Sequence, residues 1–378
     1  MSNRYLLLVP FAAMSMLAQA QQTVTGSFVH DGILREYRLY IPAIYEPGTA
    51  VPVVFNLHGY TSDNLQQEFY GDFRPIADTA NFIIAHPNGT IDALGNRAWN
   101  TFGASTVDDL GFITALLDTI AAEYSVDADR VYSTGMSNGG FMSYDLACFR
   151  SDRFAAIASV TGSVITSRLS TCAATHPTPV MQIHGTADAT VNFNGGSGVV
   201  GIEELVNYWV QSNNCDPSAD LNAVPNTSTT DGCTAEHYVY SGGDAGSTVE
   251  FFKVIGGGHT WPGAVFTIGI TNQDFSASRE IWRFFSQYRL SELQTSISPH
   301  QAFEDGLRPF PNPACERFAL AADPSRIKQV VLLDAAGRTV KLWQPSSEFL
   351  LNGLESGAYV LVVSFADRTQ RSWPLMVE

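Results

Sequence analysis

Apolar and polar residues alternate over 23–28 and Ile33–Ile41 on either side of His30-Asp31-Gly32, which predicts an opening β-hairpin. Val51–Leu57 is then continuously apolar, as expected of a strand covered on both faces in a mostly parallel sheet. Further apolar runs of strand length lie at 82–85, 131–134, 155–160, 180–184 and Val249–Ile255. Apolar residues at helical spacing predict helices over 65–80, 107–124, 142–149, 200–211 and 275–288. Strands that alternate with helices make a doubly wound α/β sheet.

From Ser291 the chain turns polar, and Arg308-Pro309-Phe310-Pro311-Asn312-Pro313 bars both helix and central strand. Beyond it, apolar runs at 329–333, 357–363 and 373–377 predict a small, sandwich-like all-β module. The expected organisation is a leader at 1–20, an α/β domain at 21–290, a linker at 291–308 and the β module at 309–378. The leader reads as a secretory signal peptide: Arg4 precedes an apolar run over 5–17, and Ala18-Gln19-Ala20 ends it with a small-x-small cleavage pattern. The run is shorter than the roughly 20 residues needed to span a bilayer.

The chain has 378 residues, 45% hydrophobic and 15% charged, as in globular proteins, with a net charge of −16. Like charges repel, so nucleic acid and anionic membrane surfaces are not expected partners. Export permits disulfides. Among the five cysteines, Cys148–Cys172 and Cys215–Cys233 are the expected pairs; the second would staple the polar excursion 216–232, and Cys315 is left over. No paired C-x-x-C and no H-x-x-x-H suggests a metal site, and no cofactor is expected.

The candidate chemistry centres on Gly135-Met136-Ser137-Asn138-Gly139, between a predicted strand and a predicted helix. A serine on so sharp a turn needs small residues two places before and after it. Its hydroxyl needs a base, and the base an acid to fix its tautomer and stabilise its cation. In such sheets the order is Ser, acid, His, so the partners lie after residue 137. Of His237, His259 and His300, only His259 follows a predicted parallel strand through a flexible Gly256-Gly257-Gly258 loop. Asp188 follows the strand 180–184 in the same way, whereas Asp108 and Asp109 suit a helix cap. The oxyanion donors would be the backbone N–H groups of Asn138 and of Tyr60, in the loop Leu57-His58-Gly59-Tyr60; His58 reads as a hydrogen-bonded loop residue. Tyr60, Trp99 and Trp261 are expected to line the substrate cleft, and Phe102 to sit in the core.

Leu57-His58-Gly59, Asp108-Asp109-Leu110-Gly111-Phe112-Ile113, Gly135-Met136-Ser137-Asn138-Gly139-Gly140, His184-Gly185-Thr186-Ala187-Asp188 and Gly258-His259-Thr260-Trp261-Pro262-Gly263 together resemble the polyhydroxybutyrate depolymerase and feruloyl esterase family of secreted α/β-hydrolases over about residues 22–289. The resemblance implies a cofactor-free serine carboxylic-ester hydrolase with Ser137, Asp188 and His259 as triad. Within such a family substrates range over feruloyl and acetyl esters of plant xylan, polyhydroxybutyrate and short synthetic esters; because the second module resembles an export signal and no polymer-binding domain with exposed aromatic rows is evident, a feruloyl or related ester of plant cell-wall polysaccharide is expected ahead of polyhydroxybutyrate or another polyester. A serine peptidase on the same fold and a non-catalytic surface-binding protein are readings of other classes; amide turnover would mark the first and absent fluorophosphonate labelling of Ser137 the second. The tail, with Phe310-Pro311-Asn312-Pro313 and Leu354-Glu355-Ser356-Gly357-Ala358-Tyr359, is similar to the sorting domain of type IX secretion substrates, which implies outer-membrane secretion machinery as a partner.

Overall fold

The computed structural model describes residues 21–294, 309–310, 312–320, 327–334, 338–346, 348–365 and 370–377. The expected signal segment 1–20 and residues 295–308 of the expected linker lie outside the described residues. The chain forms two compact units, one up to residue 295 and one from residue 296.

The first unit opens with the hairpin β1 (Gln22–His30) and β2 (Ile33–Ile41), turned by Asp31 and Gly32 at φ 50° and 78°. β3 (Val51–Leu57) is buried along its whole length. Helices α1 (Asn64–Tyr70) and α2 (Arg74–Ala80) replace the single helix expected over 65–80. Pro75 near the start of α2 has no N–H and would clash with the carbonyl one turn back in a continuous helix, so the chain breaks at Gly71. β4 (Ile83–Pro87), a two-residue ribbon of β5 (Thr90–Ile91) and β6 (Arg97–Ala98), and α3 (Asp109–Glu123) follow. Then come β7 (Val126–Met136), α4 (Asn138–Phe149), β8 (Ala156–Val160), the one-turn α5 (Thr166–Leu169), β9 (Val180–Gly185) and α6 (Ile202–Ser212). β10 (Asp220–Ala223), β11 (Thr234–Tyr240), β12 (Val249–Ile255), α7 (Ala277–Phe285) and α8 (Leu290–Gln294) complete the unit.

The ten strands form one sheet in the order β1-β2-β4-β3-β7-β8-β9-β12-β11-β10. The six from β4 to β12 run parallel, and an antiparallel pair closes each edge. Alternate residues of β3 explain its apolar run: Val54 packs with Phe73 and Phe284 on one face, while Val53 and Phe55 pack with Phe112 and Leu116 of α3 on the other. This is an α/β-hydrolase sheet, and its strand order reverses between β3 and β7, where parallel α/β sheets form their ligand crevice. The boundary differs from the expected Ser291: Leu290 and Leu293, one turn apart, bury themselves in the first core and draw α8 into the unit. No helix among the described residues is long and apolar enough to cross a membrane.

Cys148 and Cys172 form the expected disulfide. Cys215 and Cys233 do not pair. Cys215 lies against Ser247 and Gly243 near the start of β12, whereas Cys233 precedes Thr234, which pairs with Ile255 at the end of β12. Six residues of strand separate the two, on the order of 20 Å at about 3.4 Å each, against the roughly 7 Å a disulfide can bridge. Asp274 holds the excursion instead, accepting from the amides of Thr227 (2.7 Å) and Ser228 (2.8 Å).

In the second unit, β13 (Pro309–Phe310), β14 (Arg317–Leu320) and β17 (Glu348–Leu350) make one sheet, and β16 (Thr339–Trp343), β15 (Ile327–Leu333), β18 (Gly357–Phe365) and β19 (Gln370–Val377) another. Phe318 and Phe349 from the first and Val330, Leu361 and Leu375 from the second share a core.

Candidate active site

Ser137 sits between β7 and α4 at φ 53°, ψ −120°, a left-handed conformation that costs a non-glycine residue strain and marks functional turns. The glycines around it are required. A Cβ on Gly135 would lie 2.6 Å from the Leu57 carbonyl oxygen, and one on Gly139 would strike the same carbonyl. Ser137 N–H donates to Val160 O (2.8 Å), and the hydroxyl takes no part in capping α4, whose first N–H groups have no intrahelical partner. α4 thus starts one residue after the serine rather than at the expected residue 142.

The loops after β8, β9 and β12 are tied to one another in turn: Thr161 N–H donates to Ile183 O, Thr186 N–H to Val254 O and Ala187 N–H to Gly257 O, each at 2.9 Å. Neighbouring strands are about 4.8 Å apart, so Ser137 after β7, Asp188 after β9 and His259 after β12 emerge along one edge within about 15 Å. His259 Nδ1 donates to Asp188 Oδ2 at 2.7 Å, which leaves Nε2 as the basic nitrogen. Asp188 Oδ1 accepts from the amides of Thr190 and Val191, both at 2.8 Å. Burial pushes the Asp188 carboxyl upward, but the bonds and charge of His259 and the neighbouring amide outweigh it and hold the group below the usual carboxylate range. Ser137 and His259 share no hydrogen bond in this structure; such pairs are commonly loose before substrate binds.

Behind the acid lies a chain that the sequence reading missed. Tyr144 donates to Gln182 Oε1 (2.7 Å), Gln182 Nε2 donates to His184 Nδ1 (3.0 Å), and His184 Nε2 donates to Val191 O (2.9 Å) and lies 3.4 Å from Asp188 Oδ2. Burial pushes the His184 imidazole down to about 4, so it is neutral at physiological pH, in one tautomer set by Gln182. His58 is buried and neutral too, lowered to about 4 by desolvation; it accepts from Gly89 N–H and bonds Gly59 O, which is the loop role expected of it.

Ser137 opens onto an apolar cavity of about 940 Å³. Its walls include Ile91, Leu94, Trp99, Phe102, Phe141 and Val191. Tyr60 lines it as expected, with its hydroxyl donating to Asp92 (2.8 Å) and accepting from Asn96 (2.8 Å). In the turn beneath, Thr61 N–H donates to Arg97 O and Ser62 N–H to Gly59 O, bonds that do not use the Tyr60 amide. Trp99 also lines the cavity, with Nε1 donating to His58 O (2.9 Å). The Asn138 side chain fixes this wall, accepting from Trp99 N–H (2.7 Å) and donating to Thr101 Oγ1 (2.8 Å).

Two aromatic assignments are reversed. Trp261 is 1% exposed and does not line the cavity; it packs edge-on against Phe73 and donates to Ser278 Oγ (3.1 Å). Its ring turns beneath the sheet edge toward α7, where a large apolar surface is removed from water. Phe102, expected in the core, is 52% exposed and leans on Phe141 over the cleft. Its loop carries too few apolar neighbours to bury it.

Comparison with known proteins adds an independent line. The family described as esterase PHB depolymerase matches residues 35–216. A probable feruloyl esterase C of Aspergillus clavatus is 32% identical over 241 residues, which is 59% of this chain and 80% of that protein. The probable feruloyl esterase C of Aspergillus terreus is 30% identical over 272 residues, 68% of this chain and 92% of that protein. Among solved structures, an acetyl xylan esterase from Aspergillus awamori is similar over 70% of this chain and 99% of its own, with a TM-score of 0.49 and 15% identity. Taken with the elbow and the strand order that places it, the sequence match shows that the chain belongs to the polyhydroxybutyrate depolymerase and feruloyl esterase family and is a carboxylic ester hydrolase.

Proposed function

We propose that Ser137, His259 and Asp188 are the catalytic triad of a feruloyl-type esterase. The observation that carries it is the 2.7 Å bond from His259 Nδ1 to Asp188, formed along the same sheet edge as the strained Ser137 turn, with Ser137 at an apolar cavity. His259 Nε2 takes the Ser137 proton as Oγ attacks the ester carbonyl; Asp188 holds the imidazole and stabilises its cation; the Tyr60 and Asn138 N–H groups receive the oxyanion. The proton passes to the leaving alcohol, and water repeats the sequence to release the acid. Support for a feruloyl acyl group comes from relatives named for that activity and from the aromatic walls of the cleft.

Ser137→Ala should lower kcat on methyl ferulate by at least about 10³ with unfolding unchanged; an undiminished rate would end the assignment. Release of ferulate well above clearing of a polyester suspension is the expected substrate preference. In the same reading the protein is exported through its leader and the β unit is a sorting signal for type IX machinery, supported by the tail motifs and the compact β fold. Deleting residues 309–378 should then retain the enzyme inside the cell envelope.

A further inference from the structure

A second cavity, of about 270 Å³, adjoins the first and shares Asn100, Ser105 and Val107 with it as a common wall. At about 30 Å³ per water it has room for roughly nine waters, enough for one substituted ring. Asp109, Met142, Asp145 and Arg168 complete the part that matters. Asp145 is 3% exposed, and among the described residues no donor reaches its carboxyl. Its nearest cation, Arg168 Nε, is 3.8 Å away, too far for a hydrogen bond, and Arg168 Nη2 donates to Asn100 O at 3.1 Å. Asp109, in the same wall, shows what a structural carboxylate looks like: it accepts from Arg35 at 2.6 Å and from Asn100 N–H at 2.7 Å. The Asp145 carboxyl lines the cavity, so water or a ligand group held there must supply its hydrogen bonds.

We propose that this cavity is a second binding subsite, in which Asp145 accepts a hydrogen bond from a neutral hydroxyl group of the substrate and Arg168 lies beside it as a donor. With Asp109 neutralised by its ion pair to Arg35, two carboxylates, Asp108 and Asp145, face the cavity against the one guanidinium of Arg168. That balance repels an anionic group and favours a hydroxyl that donates. The subsite rests on the feruloyl esterase reading, because a feruloylated sugar offers such hydroxyls at both ends, the phenol of the acyl group and the alcohols of the sugar.

Two kcat/KM ratios distinguish the ends: feruloylated arabinose over methyl ferulate reads the sugar, and methyl ferulate over methyl 3,4-dimethoxycinnamate reads the phenol. In Asp145→Leu one ratio should fall about tenfold, carried by KM. Arg168→Met, on the partly exposed α5, should lower the same ratio by a smaller factor and keeps the test alive should the first variant fold poorly. Both ratios unchanged in both variants would mean that water alone fills the cavity, and the proposal would be overturned. Wild-type enzyme that hydrolyses p-nitrophenyl acetate but no feruloyl ester would instead remove the reading on which the subsite rests, a different and separable outcome.

Discussion

Asp188 and Asp145 are equally buried, each 3% exposed, and burial pushes both carboxyls upward, but their surroundings differ. Asp188 begins a loop, and the amides of that loop, Thr190 and Val191, are free of any ladder and turn back onto its Oδ1 while His259 takes Oδ2. Asp145 lies inside α4, where every nearby amide is already committed to the carbonyl one turn back, so any donor must come from a side chain or a ligand. The outcomes are opposite: Asp188 is held below the usual carboxylate range, and Asp145 is pushed up to about 7, with only Arg168 opposing. Depth alone therefore does not make a buried carboxylate strained. The partners within reach decide it: for Asp188 the His259 imidazole first, and then the unused N–H groups of its loop.

The sharpest break of this contrast is Asp188→Asn. An amide there cannot stabilise the His259 cation and favours the wrong tautomer, so kcat on methyl ferulate should fall on the order of 10³–10⁴. A loss under tenfold would show that Asp188 only shapes the loop. The counterpart is Asp145→Leu, read by unfolding at pH 4, 6 and 8. Between about pH 4 and 7 folded Asp145 keeps a proton that the unfolded chain has released, so this group lowers stability as pH rises through that window, and the penalty is complete above it. The leucine variant should gain on the order of 2–4 kcal/mol at pH 8 and almost nothing at pH 4. Asp188 has the reverse sign: its contribution is present above about pH 4 and fades as pH falls through its lower folded value. An equal gain at every pH in Asp145→Leu would mean that Asp145 is not a strained acid.

What could be read from sequence follows the range of the forces involved. β3 and β12 fall on their expected residues, because a continuous apolar run needs only to be covered. The Ser137 turn was legible because Gly135 and Gly139 are dictated by backbone contact across the elbow. Pro75 marks the break between α1 and α2, which the helical spacing over 65–80 does not show. Cys215 and Cys233 are close in sequence, and only the pairing of β11 with β12 sets them at opposite ends. Nearness in sequence to His259 says nothing about the face the Trp261 ring takes; the cleft is built instead from segments 90–102 and 190–199, which meet through topology. Asp145, Tyr144 and Gln182 are single polar residues within helix or strand with no local pattern to mark them, and His184, although it opens the motif that ends in Asp188, carries no sign in sequence of what it bonds.

That chain yields the smallest and most discriminating test. His184 contributes to the site only through what it bonds: Gln182, Val191 O and, at 3.4 Å, the acid. His184→Phe keeps a ring of similar size while leaving the Gln182 amide and the Val191 carbonyl short of a partner, so unfolding free energy should fall by about 1–3 kcal/mol. Activity should fall less than about tenfold, since both loop amides and His259 still hold Asp188. If His184→Phe instead cost as much kcat as Asp188→Asn, His259 and the loop amides together would not be enough to hold the acid, and the explanation of why Asp188 and Asp145 differ would have to move to this one imidazole.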